Sequence, residues 1–122
     1  MREYRAGIDI GSTTVKLVLL DRDDNIVYGQ YRRHQAHTQQ TLATLLREAR
    51  DAVGNCDLRV RITGSGSINL GKALGIEFTQ EVVAVATALR RVAPQIDVAI
   101  ELGGEDAKII YFDGGLEERM NG

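Results

Sequence analysis

The chain is 122 residues long, 43% hydrophobic and 26% charged, which suits one ordinary domain and is too apolar for a disordered segment. Its 15 Lys and Arg against 17 Asp and Glu leave a formal charge of −2, so no overall basic field draws it to nucleic acid. A single cysteine excludes an internal disulfide framework and an all-cysteine metal site, and no apolar run approaches the roughly 18 residues of a membrane span. The first residues carry no apolar signal core, and a reducing, cytoplasmic setting with no membrane partner is the expectation.

Residues 5–10 predict a short strand that stops at Gly11, and 15–20 a second. After the polar turn of residues 21–25, the alternation over 26–31 predicts a third, giving a meander of two hairpins. Thr38 is placed to cap a helix over 39–53, where Leu42, Leu45, Leu46, Ala49 and Val53 recur at helical spacing until Gly54. A fourth strand over 58–63 ends at Gly64-Ser65-Gly66, a short helix over 68–74 closes at Gly75, and 76–79 predict a short fifth strand. A second long helix covers 81–92 and is ended by Ala93-Pro94. Strands over 97–102 and 107–112 flank Gly103-Gly104, and 116–120 begin another.

The order β-β-β-α-β-α-β-α is the ribonuclease-H-like one, in which the first strand lies centrally and pairs with the fourth. The expected fold is α/β, with a mixed five-stranded sheet over residues 1–93. Residues 97–122 start a second unit of the same kind, and the chain is expected to be a fragment of a longer protein.

Sliding the sequence by 92 positions supports a duplication. Ile8-Asp9-Ile10-Gly11 falls on Ile100-Glu101-Leu102-Gly103, Lys16 on Lys108, Leu17-Val18 on Ile109-Ile110, and Asp21 on Asp113. Each copy reads as apolar strand, acid, apolar residue, glycine turn, and a lysine near the head of a second strand. Such turns bind anions through backbone N–H groups. Gly11 allows close approach, Ser12, Thr13 and Thr14 add hydroxyl donors, and Ser12, Thr14 and Lys16 share one face if the strand is regular. Asp9, at the end of its strand, suits a hydrated Mg²⁺. Glu101, Gly103, Gly104 and Lys108 are the corresponding set in the second copy, and the two hairpins are expected to grip one polyphosphate. The competing reading makes Asp9 and Lys16 a surface ion pair.

Gly7-Ile8-Asp9-Ile10-Gly11-Ser12-Thr13-Thr14-Val15-Lys16 resembles the first phosphate motif of the actin, sugar-kinase and heat-shock-chaperone superfamily. Within it the chain resembles the ATPases that activate 2-hydroxyacyl-CoA dehydratases and benzoyl-CoA reductases. Thr63-Gly64-Ser65-Gly66 stands at that family's T-G-Y-G or T-G-S-G, and Glu81 at the acid opening its interdomain helix. Glu101-Leu102-Gly103-Gly104-Glu105-Asp106-Ala107-Lys108 stands at its D-I-G-G-Q-D-x-K, and Arg119–Gly122 resembles the stretch before its cluster cysteine. Glu101 replaces the family aspartate and Glu105 the glutamine, as in the very long members. The resemblance implies ATP and Mg²⁺ as ligands, with Asp9 holding the metal through water. It implies that Gly11, Ser12, Thr13 and Thr14 meet the β- and γ-phosphates with Lys16 on phosphate charge, and that Gly103 and Gly104 meet the γ-phosphate opposite, with Lys108 supplying charge. Glu101 positions the metal or the attacking water. It also implies a [4Fe-4S] cluster bridging a homodimer, ligated by residues beyond this chain, and a partner enzyme that is a CoA-ester dehydratase or reductase. The 122 residues alone are expected to bind ATP poorly.

Other signals are weaker. Residues 66–72 match G-x-x-x-x-G-K after a strand, but Ala73 replaces the Ser or Thr of a P-loop and Gly75 cuts the helix short. His34 and His37 read as a solvated loop, and Arg32-Arg33 and Arg90-Arg91 as exposed charge. Cys56 is placed in a connection. The alternatives to an activator are a kinase of a small hydroxylated substrate on the same fold, and a non-catalytic assembly module.

Overall fold

The computed structural model describes residues 2–93, 95, 98–102, 107–111 and 117–121. Contacts divide the chain into two compact units, Met1–Thr79 and Gln80–Gly122. The division falls before the second long helix, whereas the boundary read from the sequence, after residue 93, leaves that helix with the first unit.

The first unit runs β1 (Arg2–Ile10), β2 (Thr14–Leu20), β3 (Ile26–Arg33), α1 (Thr38–Val53), β4 (Cys56–Thr63), α2 (Ile68–Leu74) and β5 (Glu77–Phe78). Its sheet has the order β3-β2-β1-β4-β5. β1 pairs antiparallel with β2 and parallel with β4, so the first strand is central and meets the fourth, as the element order predicts.

Alternation decides which face is buried. Tyr4, Ala6, Ile8 and Ile10 of β1 and Val15, Leu17 and Leu19 of β2 are all buried, and Ile62 of β4 joins them. The stripe Leu42, Leu45 and Ala49 of α1 packs into the same cluster. The residues between them, Arg5, Gly7 and Asp9 on β1 and Lys16 on β2, therefore belong to the opposite face. Arg59–Glu3 and Arg61–Glu77 ion pairs, at 3.2 Å and 2.9 Å, link exposed side chains across the strands. Such pairs contribute at most about 1 kcal/mol each.

Several local expectations are corrected. Thr38 is the first residue of α1 rather than its cap; His37 occupies the cap position without a side-chain capping bond, and its carbonyl accepts from the Thr41 hydroxyl at 2.8 Å. Cys56 opens β4 and is half-buried, not part of a connection. The short helix and solvated Lys72 that the sequence predicts in place of a P-loop at residues 66–72 are found. α2 ends after Leu74 with Gly75 in a left-handed conformation (φ 67°), and Lys72 is exposed. Gly71 is buried because α2 lies tightly on β4: a Cβ there would stand 3.2 Å from Ile62 Cγ2.

The second unit holds α3 (Glu81–Val92), β6 (Val98–Leu102), β7 (Ala107–Tyr111) and β8 (Glu117–Asn121). The three strands form an antiparallel sheet in chain order. The 92-residue repeat holds at the level of strand pairing: Asp9 faces Lys16 in the first hairpin, and Glu101 faces Lys108 in the second. Ile8–Leu17 and Ile10–Val15 likewise correspond to Ile100–Ile109 and Leu102–Ala107.

Candidate functional site

The site is built where β1 ends and the chain reverses into β2. The turn closes with Gly11 N–H donating to the Thr14 carbonyl at 2.9 Å. Ser12 and Thr13 form its exposed tip, while Thr14 is already in β2. Thr14 and Lys16 thus share a face of β2, but Ser12 sits in the turn and not on that face. Gly11 does not have a positive φ, and a Cβ added there would meet only Thr14 atoms at 3.9 Å. Neither turn geometry nor crowding within the chain demands glycine at this position. Its hydrogen leaves open space on the outer side of the turn.

Asp9 and Lys16 are cross-strand partners, with Nζ 3.9 Å from Oδ2 and side chains 56% (Lys16) and 41% (Asp9) exposed. A pair this long and this solvated holds at most about 1 kcal/mol. Lys16 can therefore leave this pair for a ligand at little cost. The surface-pair reading and the ligand-binding reading do not compete.

On the other side of β1, Thr63 of β4 is the register partner of Asp9 and lies on the same face. Its Oγ1 is buried and has no hydrogen-bond partner among the described residues. An unsatisfied buried hydroxyl costs about 1–3 kcal/mol, so its persistence needs a reason. The chain then turns through Gly64 at φ 102°. A Cβ there would overlap the Ile10 carbonyl oxygen and come within 2.6 Å of Asp9 Oδ1. Gly66 N–H donates to that same Ile10 carbonyl at 2.9 Å, and the Ser67 hydroxyl donates back to the Thr63 carbonyl. The loop after β4 is thereby strapped to the end of β1, and Gly64 lies against the Asp9 carboxylate.

The third support comes from the residue after β3. His34, expected in a solvated loop, is buried at 9% exposure. Its ring Nε2 lies 3.0 Å from the Gly11 carbonyl oxygen, and its backbone N–H donates to the Thr13 carbonyl at 3.0 Å. The corner thus gathers Asp9, Gly11, Ser12, Thr13, Thr14 and Lys16, and adds Thr63, Gly64 and His34. Glu101 and Lys108 are paired in β6 and β7. Gly103 and Gly104 lie outside the described residues.

No protein-family model matches the sequence, and no curated protein does. Solved structures match along nearly the whole chain. Component A of the (R)-2-hydroxyglutaryl-CoA dehydratase of Acidaminococcus fermentans is 24% identical over 97% of this chain and 47% of its own, at a TM-score of 0.76. The activator of the 2-hydroxyisocaproyl-CoA dehydratase of Clostridium difficile, solved with bound ADPNP, is 28% identical over 97% of this chain and 45% of its own, also at 0.76. The fold is that of the actin-like ATPases. The ethanolamine utilization protein EutJ of Carboxydothermus hydrogenoformans shares it at 18% identity, over 98% of this chain and 52% of its own, with a TM-score of 0.70. The chain spans about half the length of these structures.

The corner's chemistry suits a hydrated hard cation and its anion. A carboxylate and an unsatisfied hydroxyl sit side by side, and both are oxygen donors. Among the described residues no cluster of three or more His, Cys, Asp or Glu gathers to bind a metal directly, so a cation here would be held through water and ligand oxygens. An iron–sulfur cluster does not fit these residues. The only thiol, Cys56, pairs with Arg2 at the far end of β1, seven residues and roughly 23 Å of strand from Asp9. No helix among the described residues is long and apolar enough to cross a membrane.

Proposed function

We propose that the Asp9 corner is the first phosphate loop of an ATP site, and that the whole protein is an ATPase of the dehydratase-activator kind. The observation that carries this reading is the repeated hairpin, in which an acid and a lysine face each other in the same register 92 residues apart. One such hairpin is an ordinary turn. Two in register are what a duplicated phosphate grip requires.

The proposed roles follow from the chemistry. Ser12, Thr13 and Thr14 donate hydrogen bonds to phosphate oxygens, and Lys16 leaves Asp9 to neutralise phosphate charge. Asp9 would hold a Mg²⁺ through its water, with the Thr63 hydroxyl as a neighbouring oxygen donor. The metal, when bound, offsets phosphate charge and orients the terminal phosphoryl group. Glu101, Gly103, Gly104 and Lys108 serve as the second loop, with Glu101 positioning the metal or the attacking water. In the whole protein, hydrolysis is coupled to electron delivery to a CoA-ester dehydratase or reductase. A [4Fe-4S] cluster bridging a homodimer belongs to that proposal and rests on the family resemblance.

The test is calorimetric titration of ADPNP into the whole protein, with and without Mg²⁺. The Asp9→Asn variant is expected to lose at least tenfold in affinity with Mg²⁺ present and little without it. Equal Mg²⁺-dependent binding by variant and wild type would overturn the assignment.

A further inference from the structure

His34 is buried, yet the proposed phosphate chemistry makes no use of it. Both of its ring nitrogens are engaged. Nδ1 accepts from the Ala36 N–H at 3.1 Å, and Nε2 faces the Gly11 carbonyl oxygen at 3.0 Å. A carbonyl only accepts, so the ring proton belongs on Nε2 and the imidazole is neutral. The backbone bends to keep this geometry. Gln35 and Ala36 take φ values of 47° and 66°, a left-handed conformation that non-glycine residues disfavour. That turn aims the Ala36 N–H at the ring and fixes its orientation.

We propose that His34 is a positioning residue that sets the polarity of the Gly11–Ser12 peptide. The peptide is planar and trans, so when its C=O is held toward the imidazole, its N–H points the opposite way. Ser12 then offers a donor on the side away from His34. Without that hold, the peptide can rotate about the Gly11 ψ and Ser12 φ bonds, and the missing Cβ of Gly11 leaves its ψ less restricted than that of any other residue. The flipped peptide turns its carbonyl oxygen outward and repels an anion. His34 thus makes the turn a phosphate-binding loop by deciding which end of one peptide dipole faces out. This rests on the phosphate-loop reading only for the identity of the ligand; the peptide orientation stands by itself.

Two variants separate the ring's bonds. The amide of His34→Gln reaches the place of Nε2 and can still donate to Gly11, whereas that of His34→Asn reaches only the place of Nδ1. Nitrogen-15 spectra of the wild-type protein are expected to show Nε2 protonated and Nδ1 bare, with a coupling across the hydrogen bond to the Gly11 carbonyl. His34→Asn is expected to move the Ser12 amide resonance and to weaken Mg²⁺–ADPNP binding at least tenfold, while His34→Gln stays within about threefold of wild type. A proton on Nδ1, or a His34→Asn protein with unchanged Ser12 resonance, would overturn the positioning role. A whole protein that shows the coupling but binds no Mg²⁺–ADPNP would support the positioning role and defeat the phosphate-loop reading instead.

Discussion

Gly11 and Gly64 meet at one corner and are needed for different reasons, which mutation can separate. Gly64→Ala adds a methyl group at φ 102° into the Ile10 carbonyl, a clash with backbone that cannot rotate away. It is expected to cost about 2–4 kcal/mol in urea unfolding. Gly11→Ala meets nothing closer than 3.9 Å and is expected to change stability by less than about 1 kcal/mol, yet to weaken ADPNP binding, because the methyl group occupies the ligand's approach. Thr63→Val replaces the orphaned hydroxyl with a methyl group of the same shape. The ligand-free protein is expected to be as stable as wild type or up to about 1–2 kcal/mol more stable, with Mg²⁺–ADPNP binding reduced. A destabilised Thr63→Val protein would mean that the hydroxyl serves the fold instead of the ligand.

Among the elements, α1 holds the first unit together through few side chains. Leu45 is fully buried against the sheet, and Leu45→Ala is expected to lower unfolding free energy by about 2–5 kcal/mol by chemical denaturation. The β2–β3 turn depends on charge. The Asp21 carboxylate accepts from the Asn25 and Asp23 backbone N–H groups, each at 2.9 Å, and the Asn25 bond chiefly holds its pKa below the ordinary aspartate value. A lowered folded pKa stabilises the turn above the unfolded value and is lost as pH falls through the folded one. The Asp23 and Asn25 amide resonances are therefore expected to shift only below the usual aspartate range, and not at all in Asp21→Asn. The sequence shows these elements well where their signals are local. α2 and α3 have the expected bounds because Gly75 turns left-handed and the Gln80 backbone is extended before Glu81. It fails where the cause is distant. The only apolar residue of the tract 32–37 is Ala36, itself exposed, so nothing there announces burial, and His34 is drawn in by a carbonyl 23 residues away. Cys56 follows Gly54-Asn55, which look like a turn, but parallel pairing with Arg2 extends β4 back through it. The candidate residues Asp9 through Lys16 are legible because a strand, a glycine and three hydroxyls are adjacent in the chain. Thr63 joins them only through strand register.

At the scale of the molecule, the two hairpins carry different acids in one register. If Glu101 mirrors Asp9, then Glu101→Asp in the whole protein keeps nucleotide hydrolysis within about tenfold of wild type and Glu101→Gln loses far more, roughly a hundredfold or beyond, in steady-state assays. Equal losses would show that the carboxylate is not the feature that matters. The larger sheet has another consequence, set by its outermost long strand. β3 spans Ile26–Arg33 at the margin, with Ile26 and Tyr31 each 70% exposed. A marginal strand of that length offers backbone groups to any similar strand that drifts past, and with Arg32 already paired to Glu48 at 3.0 Å, Arg33 is the charge left to deter it. Concentrated solutions should accordingly self-associate through β3 more readily as salt screens Arg33, and Ile26→Lys should keep the molecules apart.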